Sequence, residues 1–518
     1  MVDPLPAGAL RWRCDPDSLP FESTDDVEPV VGVVGQTAAV EALRFGLECD
    51  ARGQNIFVRG LVGTGRMTLV GRLLDELNPT CTSKQDRCYV HSFTHPDCPR
   101  LLSFPAGQAR AFRRRLHELT EFIRTGLADT LNSEPIRVRR EALLNREKEA
   151  IEKISKPFEA ALKEAGLALV TVQVGEVTQP AIYPVYDGKP VAPEEYEDLH
   201  EEGKVTKKQL DAFLERSESY QRRLEEVSSR VREIHRTNST AIRAVYEEMT
   251  RAILGELARS ILSAFPGDTV KRYLQELIDD VAENQIVAPP NEAVESLRLY
   301  GVNIILEHEK GVSCPIVIEN TPSLPNLLGQ VERQWGAGGP EPSDYRMIRA
   351  GSLLRADGGY LVLDARDVLS EPGAWKVLIR TLRTGYLEIV PPEFGNLHWQ
   401  PSLKPEPIPV QLRVILLGDA HTYYVLDAVD ADFSHLFKVL ADFDSVIERN
   451  TTSVEDYAGV LARIIKEESL LPMSRGAVAA IAEHGARIAE ARGKLTARFS
   501  RIADIAREAS FLAEKQGE

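Results

Sequence analysis

Residues 55–70 read Asn55-Ile-Phe-Val-Arg-Gly60-Leu-Val-Gly-Thr-Gly65-Arg-Met-Thr-Leu-Val70, a short apolar run followed by a glycine-rich loop. The apolar run predicts a buried strand, and residues 69–74 carry apolar side chains at helical spacing. A strand, a glycine loop and a helix form the opening unit of a nucleotide-binding parallel sheet. The stretch therefore predicts an α/β domain built around a phosphate site.

The glycine loop supplies the first set of candidate site residues. Backbone N–H groups at such glycines can approach phosphate oxygens with no Cβ in the way. The candidates for nucleotide binding are Gly60, Gly63, Thr64, Gly65, Arg66, Met67 and Thr68.

Two positions depart from the usual pattern of this loop. Arg66 replaces a lysine, and its planar fork is not equivalent to a compact ammonium. Met67 replaces the serine or threonine that offers a hydroxyl to Mg²⁺, and Thr68 is one residue out of register. The loop shape is kept and the metal ligand is lost; the alternative is a glycine turn that binds nothing.

The apolar run Tyr360-Leu-Val-Leu-Asp364 predicts a second strand that delivers an aspartate to the same site. Asp364 is the candidate magnesium-side acid, or alternatively a helix cap after a core strand. The acidic residue that normally follows is replaced by Ala365, and Asp367 is an outside candidate for its role. These changes weaken hydrolysis more than binding.

Composition and periodicity divide the chain. Residues 1–30, rich in proline and aspartate, predict an N-terminal arm. Strand patterns in 31–107 and 284–452 predict the two parts of one α/β domain, and residues 453–518 predict a helical lid.

Residues 108–283 predict a helical or coiled-coil arm inserted into that domain, with β-hairpins near 167–191. The alternative is a helical bundle. The coiled-coil seam steps by three and four through Leu224, Val227, Val231, Ile234, Asn238, Ala241 and Val245.

The composition excludes several classes of protein. The 518 residues are 43% hydrophobic and 27% charged, as in ordinary folded domains. No apolar run reaches the ~20 residues of a membrane helix, and the amino terminus lacks a signal-peptide layout. We therefore expect a cytoplasmic protein with no membrane partner. The formal net charge of -16 disfavours nucleic acid as a partner.

One cluster resembles a zinc site by composition: Cys88, His91, His95 and Cys98 lie within eleven residues. Its spacing matches no standard zinc finger, so a strand and loop are favoured and zinc is not expected.

Several stretches, taken in order, resemble the AAA+ module of the Lon-related proteases, in the branch that carries a long helical arm. The resembling stretches begin at Gly35-Gln36, Asn55-Ile-Phe-Val, Val317-Ile-Glu319, Asn326-Leu-Leu-Gly329, Ile348-Arg-Ala-Gly351, Phe437-Lys-Val and Lys494-Leu-Thr-Ala-Arg498. The resemblance implies a ring, usually hexameric, that feeds unfolded or loosely folded protein into a chamber of serine protease domains with a Ser-Lys dyad.

The resemblance also implies roles for particular residues. Asp419 stands at the phosphate-sensing position, Arg498 approaches nucleotide from the lid, and Lys438 is the inter-subunit cation; a solvated surface charge is the alternative for the last two. Trp335 and Tyr386 are candidates for the pore loop, and a tryptophan packed on its own domain is the alternative for Trp335.

No stretch after the lid resembles the protease domain. We expect either a truncated part of a larger Lon-like protease, which the stop within a helical pattern favours, or a ring subunit without a proteolytic half. The expected cofactor is ATP or ADP, with Mg²⁺ and hydrolysis disfavoured by Met67 and Ala365. The competing hypotheses are an active AAA+ motor without a protease and a non-enzymatic ring scaffold.

Overall fold

The computed structural model describes residues 11–30, 34–49, 51, 53–60, 66–77, 84–174, 177–285, 297–309, 314–332, 335–336, 339–340, 344–389 and 403–517. Side chains are not described for residues 66–69, 72, 77, 174, 177–178, 335–336 and 339–340. The chain forms two compact units, the first from Met1–Arg113 with Val302–Glu518 and the second from Arg114–Gly301.

The strands are short, as expected for a chain dominated by helices. They are β1 Ile56–Arg59, β2 Gln85–Val90, β3 Arg100–Pro105, β4 Leu167–Val174, β5 Val177–Tyr186, β6 Lys189–Pro190, β7 Asn303–Leu306, β8 Ile316–Glu319, β9 Gly329–Val331, β10 Trp335–Gly336, β11 Gly339–Pro340, β12 Ile348–Ala350, β13 Tyr360–Asp364, β14 Tyr386–Leu387, β15 Ile408–Pro409, β16 Arg413–Gly418, β17 Val439–Asp442, β18 Val446–Glu448 and β19 Lys494–Thr496.

The helices range from one turn to 58 residues. They are α1 Thr37–Glu48, α2 Arg66–Leu77, α3 Ala109–Thr125, α4 Leu127–Leu131, α5 Glu134–Glu164, α6 Pro193–Glu201, α7 Lys207–Ala264, α8 Asp268–Asp280, α9 Leu324–Leu328, α10 Ser352–Arg355, α11 Ala365–Ser370, α12 Ala374–Thr384, α13 Ala420–Val429, α14 Phe433–Leu436, α15 Thr451–Glu468, α16 Arg475–Ile488 and α17 Phe499–Gln516. Short turns of other helical types lie at Pro16–Ser18, Thr24–Asp26, Val281–Gln285, Leu297–Tyr300 and Tyr345–Met347.

The first unit is built on a five-stranded sheet of order β17-β1-β16-β13-β8, in which every pairing is parallel. Alternate residues of each strand enter two different cores. Phe57, Leu363 and Leu416 pack on one face, and Val58 and Val362 pack on the other. Because both faces of the sheet are buried, each strand appears in the sequence as a continuous apolar run. These runs are the pattern from which the strands were predicted.

Strand order explains why the arm is an insertion. β1 lies between β16 and β17, so the chain pairs Ile56 with Ile415 and Val439 only after it returns from the second unit. A smaller antiparallel sheet of order β3-β2-β7 is likewise formed from segments on both sides of the arm. The predicted α/β domain with a helical insertion is thereby confirmed.

The second unit contains the two longest helices, α5 and α7. They run antiparallel, since Arg140 contacts Tyr246 and Glu147 contacts Asn238. Asn238 is the polar residue of the predicted seam; it is buried and donates its side-chain amide to Glu147. A sheet of order β4-β5-β6 accompanies these helices, and the unit's limits by contacts are 114 and 301, where composition predicted 108 and 283.

The lid consists of α15, α16 and α17 around an apolar core with the β18–β19 pair. Residues 11–30 pack on this lid: Cys14 and Leu19 are buried in its core, and Thr24 donates its backbone N–H to Met473. The N-terminal segment is thus part of the lid's packing. Within the described residues, every helix is too short or too polar to cross a membrane.

Candidate functional site

The carboxyl ends of β1, β16 and β13 bring predicted site residues together. The Gly60 backbone N–H donates to the Gly418 carbonyl at 3.1 Å, immediately before Asp419. Asp364 lies opposite Leu417 in the sheet register. With neighbouring strands about 4.8 Å apart, the end of β13 lies about 10 Å from the end of β1. Gly60, where the predicted phosphate loop begins, and Asp364 therefore lie at the same edge of the sheet.

A glycine is required where β16 ends beside β1. A Cβ on Gly418 would lie 2.4 Å from the Phe57 ring. The packing of the Phe57 ring over the end of β16 therefore depends on a residue without a side chain.

The predicted phosphate loop lies partly outside the described residues. Gly63, Thr64 and Gly65 lie outside the described residues. Arg66, Met67 and Thr68 form the first turn of α2, and nothing is described of their side chains. Their assignment to phosphate stays a prediction.

Asp364 ends β13 and caps the next helix. Its Oδ1 accepts a hydrogen bond from the Arg366 backbone N–H at 2.9 Å, so the carboxylate satisfies an otherwise unpaired donor of α11. The side chain is half-buried. Asp364 therefore acts as a helix cap. Its second carboxylate oxygen is left for other partners.

Ala365 occupies the place of the missing acid. It is fully buried in the core that covers one face of the sheet. A carboxylate at this Cβ would have to enter that apolar core or displace α11. Asp367 is exposed in the first turn of α11, at a different position from the missing acid.

Asp419 follows β16 and caps α13. It accepts from the Thr422 backbone N–H at 2.7 Å, and its Oδ2 lies 2.5 Å from Arg366 Nη2. The Thr422 hydrogen bond, and then the Arg366 guanidinium, hold the pKa of Asp419 well below its usual range. The carboxylate is ionised at neutral pH and bridges the ends of β13 and β16.

Sequence reasoning missed Arg366. This residue contacts two of the predicted site residues: its backbone N–H donates to Asp364, and its guanidinium donates to Asp419. The available signal was its position, two residues beyond the strand aspartate. That position alone does not reveal which neighbour the side chain meets.

Arg59, just before the loop, was also missed. Its Nε donates to Asp442 at 2.6 Å, and its guanidinium lies 5.5 Å from the ring centres of Tyr423 and Tyr424. The hydrogen bond to Asp442 raises the pKa of Arg59. This arginine therefore ties the end of β1 to β17 and α13.

The other predicted residues belong to other elements. Lys438 is exposed just before β17, at the amino edge of the sheet, where a cavity of about 1000 Å³ is also lined by Tyr386. Arg498 is half-buried at the start of α17, with its backbone N–H bonded to Thr496. Trp335 pairs with Pro340 in the β10–β11 hairpin, and its side chain is not described.

No group of three or more His, Cys, Asp or Glu side chains suited to a metal ion occurs within the described part of the chain. Cys88 lies buried in β2, where burial raises the pKa of its thiol, and His91 packs edge-on against Phe93.

The order of the parallel sheet, the aspartate that ends β13 and the helical lid together define an AAA+ module. Three family models match separate stretches: a LonB-like AAA domain at residues 312–444, an archaeal LonB AAA+ ATPase lid domain at 472–518, and a Lon-like LonC helical domain at 86–119. No curated protein matches the chain. These three matches support a relationship between the chain and the Lon-related family.

Proposed function

We propose that the chain is the AAA+ module of a Lon-like serine protease, which recognises polypeptide and admits it to a proteolytic chamber with weak or no ATP hydrolysis. The observation that carries the proposal is Ala365, a buried methyl group directly after the strand aspartate. Without an acid there, nothing on β13 orients the attacking water.

Nucleotide binding is the second part of the proposal. Gly60 to Thr68 would hold the phosphates of ATP or ADP, Asp419 would sense them, and Arg498 would approach from the lid. The adjacency of Gly60 and Gly418 supports this arrangement, because it aligns the start of the loop with the Asp419 turn. Binding does not need the missing acid, so it survives the loss of hydrolysis.

Polypeptide recognition is assigned to the arm. A cavity of about 290 Å³ lies between α5, the β4–β5 hairpin and α7, with apolar side chains such as Phe158 and Val227 around it. Leu169, which also lines it, is exposed. Exposed apolar surface of this kind suits unfolded or loosely folded chains better than native ones.

Assembly completes the proposed function. We expect a homo-oligomeric ring, hexameric by family resemblance, that cooperates with a protease domain. Lys438 would face the neighbouring subunit, and Trp335 or Tyr386 would line the pore. Tyr386 is exposed in the two-residue strand β14, as a pore residue requires.

ATP turnover tests the central claim. We expect the wild-type chain and Asp364→Asn to release phosphate from ATP equally slowly, at the level of a protein-free control. A rate in the ordinary ATPase range, about 1 per second or faster, that Asp364→Asn abolishes would establish an active motor instead.

Polypeptide capture tests the arm. A chemically unfolded, fluorescently labelled protein should bind the chain, and its native form should not. Leu169→Asp should weaken this binding, whereas Leu512→Asp, at an exposed leucine of the lid, should leave it unchanged. Equal binding by both variants would remove the arm from the proposal.

A further inference from the structure

Arg366 is a cation fixed among carboxylates at the edge where nucleotide phosphates are proposed to bind. Its Nη2 lies 2.5 Å from Asp419 Oδ2, and its side chain is 58% exposed. The hydrogen bond to Asp419, with further attraction from Asp364 and Asp367, raises the pKa of Arg366. The guanidinium is thus permanently charged, held in place, and open to solvent.

The magnesium ion that the family implies does not fit these residues. Mg²⁺ requires near-octahedral oxygen ligands. Asp364 has one carboxylate oxygen left after its backbone hydrogen bond through Oδ1, and Asp419 is shared between Thr422 and Arg366. Met67 brings no oxygen to the loop. A divalent ion would also meet the positive charge of Arg366 at the same carboxylates.

We propose that Arg366 takes the place of the metal ion, so that its guanidinium binds the phosphates and nucleotide binding does not require Mg²⁺. Arginine has five N–H donors in a planar fork, which matches two phosphate oxygens at once. One donor contacts Asp419, and the exposed remainder can reach an anion. This inference rests on the proposed nucleotide site.

The role of Asp419 follows from the same geometry. Its ionised carboxylate orients Arg366 between the ends of β13 and β16, and also competes with phosphate for the guanidinium. Asp419 is therefore a positioning residue that limits affinity. A purely structural ion pair would behave differently, because losing either partner would then have the same effect.

The test is calorimetric titration of the full chain with ATP, once with Mg²⁺ and once with EDTA in its place. We expect wild-type dissociation constants that agree within about twofold in the two buffers, because the protein supplies the cation. Arg366→Ala should weaken ATP binding by about tenfold to a hundredfold, as expected for a lost charge-assisted hydrogen bond. Arg366→Lys should fall between.

Two further variants separate binding from structure. Asp419→Asn keeps a helix cap and removes the carboxylate that competes with phosphate for the guanidinium, so ATP should bind more tightly than to the wild type. Arg383→Ala is the matched control: its side chain is 60% exposed and ion-paired with Asp432 at 2.9 Å, at the opposite edge of the sheet. It should bind ATP like the wild type, with circular dichroism confirming that every variant is folded.

The outcomes are distinct. ATP binding that disappears in EDTA, or equal weakening by Arg366→Ala and Asp419→Asn, would overturn this inference and leave the nucleotide site standing. Failure of the wild-type chain to bind ATP in either buffer would refute the nucleotide site itself, and the inference with it.

Discussion

The methyl group of Ala365 fills a place in the core directly after Asp364, and in the proposed function this position accounts for binding without hydrolysis. The residue is fully buried and packs in the cluster that contains Leu363 and Val368. Restoring an acid here is therefore more than a change of one functional group.

We predict that Ala365→Glu destabilises the chain by about 3 kcal/mol, because a carboxylate is forced into an apolar core. It should not gain ATP turnover. Thermal unfolding and phosphate release measure the two effects, with Leu369→Glu, at an exposed leucine of the same helix, as the comparison for stability. A stable Ala365→Glu variant that hydrolyses ATP would contradict the buried placement of Ala365.

Asp419 gives a pH-dependent prediction. Its pKa is lowered in the folded chain, so the carboxylate stabilises the fold at any pH above the unfolded value of about 3.9, and this stability is lost as pH falls further. Asp419→Asn should therefore unfold more easily than wild type by about 1–2 kcal/mol at neutral pH. The difference should shrink below about pH 4. Chemical denaturation across this range measures it, and a constant difference would argue against an ionised Asp419.

At the level of elements, the N-terminal segment and the lid form one packed structure. Leu19 is buried among lid residues such as Tyr457 and Leu461, and Trp12 stacks 4.4 Å from the Arg449 guanidinium. The sequence predicted an N-terminal arm but gave no indication of which part of the protein it packs against. Leu19 and Trp12 of the N-terminal segment cover a face of the lid that its own helices leave open.

We predict that Leu19→Ala destabilises the lid by about 2–3 kcal/mol, since it leaves a cavity in this core. Hydrogen exchange should rise in α15 and α16. Leu512→Ala, at an exposed leucine of the same lid, should change the unfolding free energy by less than about 0.5 kcal/mol. Unchanged exchange in Leu19→Ala would mean that the segment is not part of the lid core.

At the level of the whole molecule, the first unit is closed by strands that are distant in sequence. Ile56 pairs with Ile415, so the central sheet cannot form until the chain has passed through the arm. Yet the residues of that sheet and its two cores all belong to the first unit. The arm is topologically an interruption of a complete fold.

We predict that replacing residues 114–301 by a flexible glycine–serine linker leaves a folded first unit. A shorter loop costs less entropy to close, so removal of the arm does not oppose folding. Circular dichroism and a cooperative thermal transition should report the fold, and ATP affinity should match that of the full chain. Binding of unfolded polypeptide should be lost. An unfolded product would show that the arm is required for the sheet.

The sequence by itself determined the class of fold and its plan. Strands that are buried on both faces are continuous apolar runs, and such runs can be recognised from the sequence alone. β1, β13 and β16, and the loop that begins at Gly60, were therefore predictable. Asp364 was predictable because it ends such a run. The family resemblance followed from the order of these stretches.

Only the tertiary structure decided which charges meet. Arg366 and Asp419 are separated by 53 residues, and Arg59 and Asp442 by 383, so no local pattern reveals their contacts. They meet because parallel strands end at one edge of the sheet and bring the residues that follow them together. The burial of Ala365 has the same origin, since a helix start becomes apolar interior only when neighbouring elements pack against it.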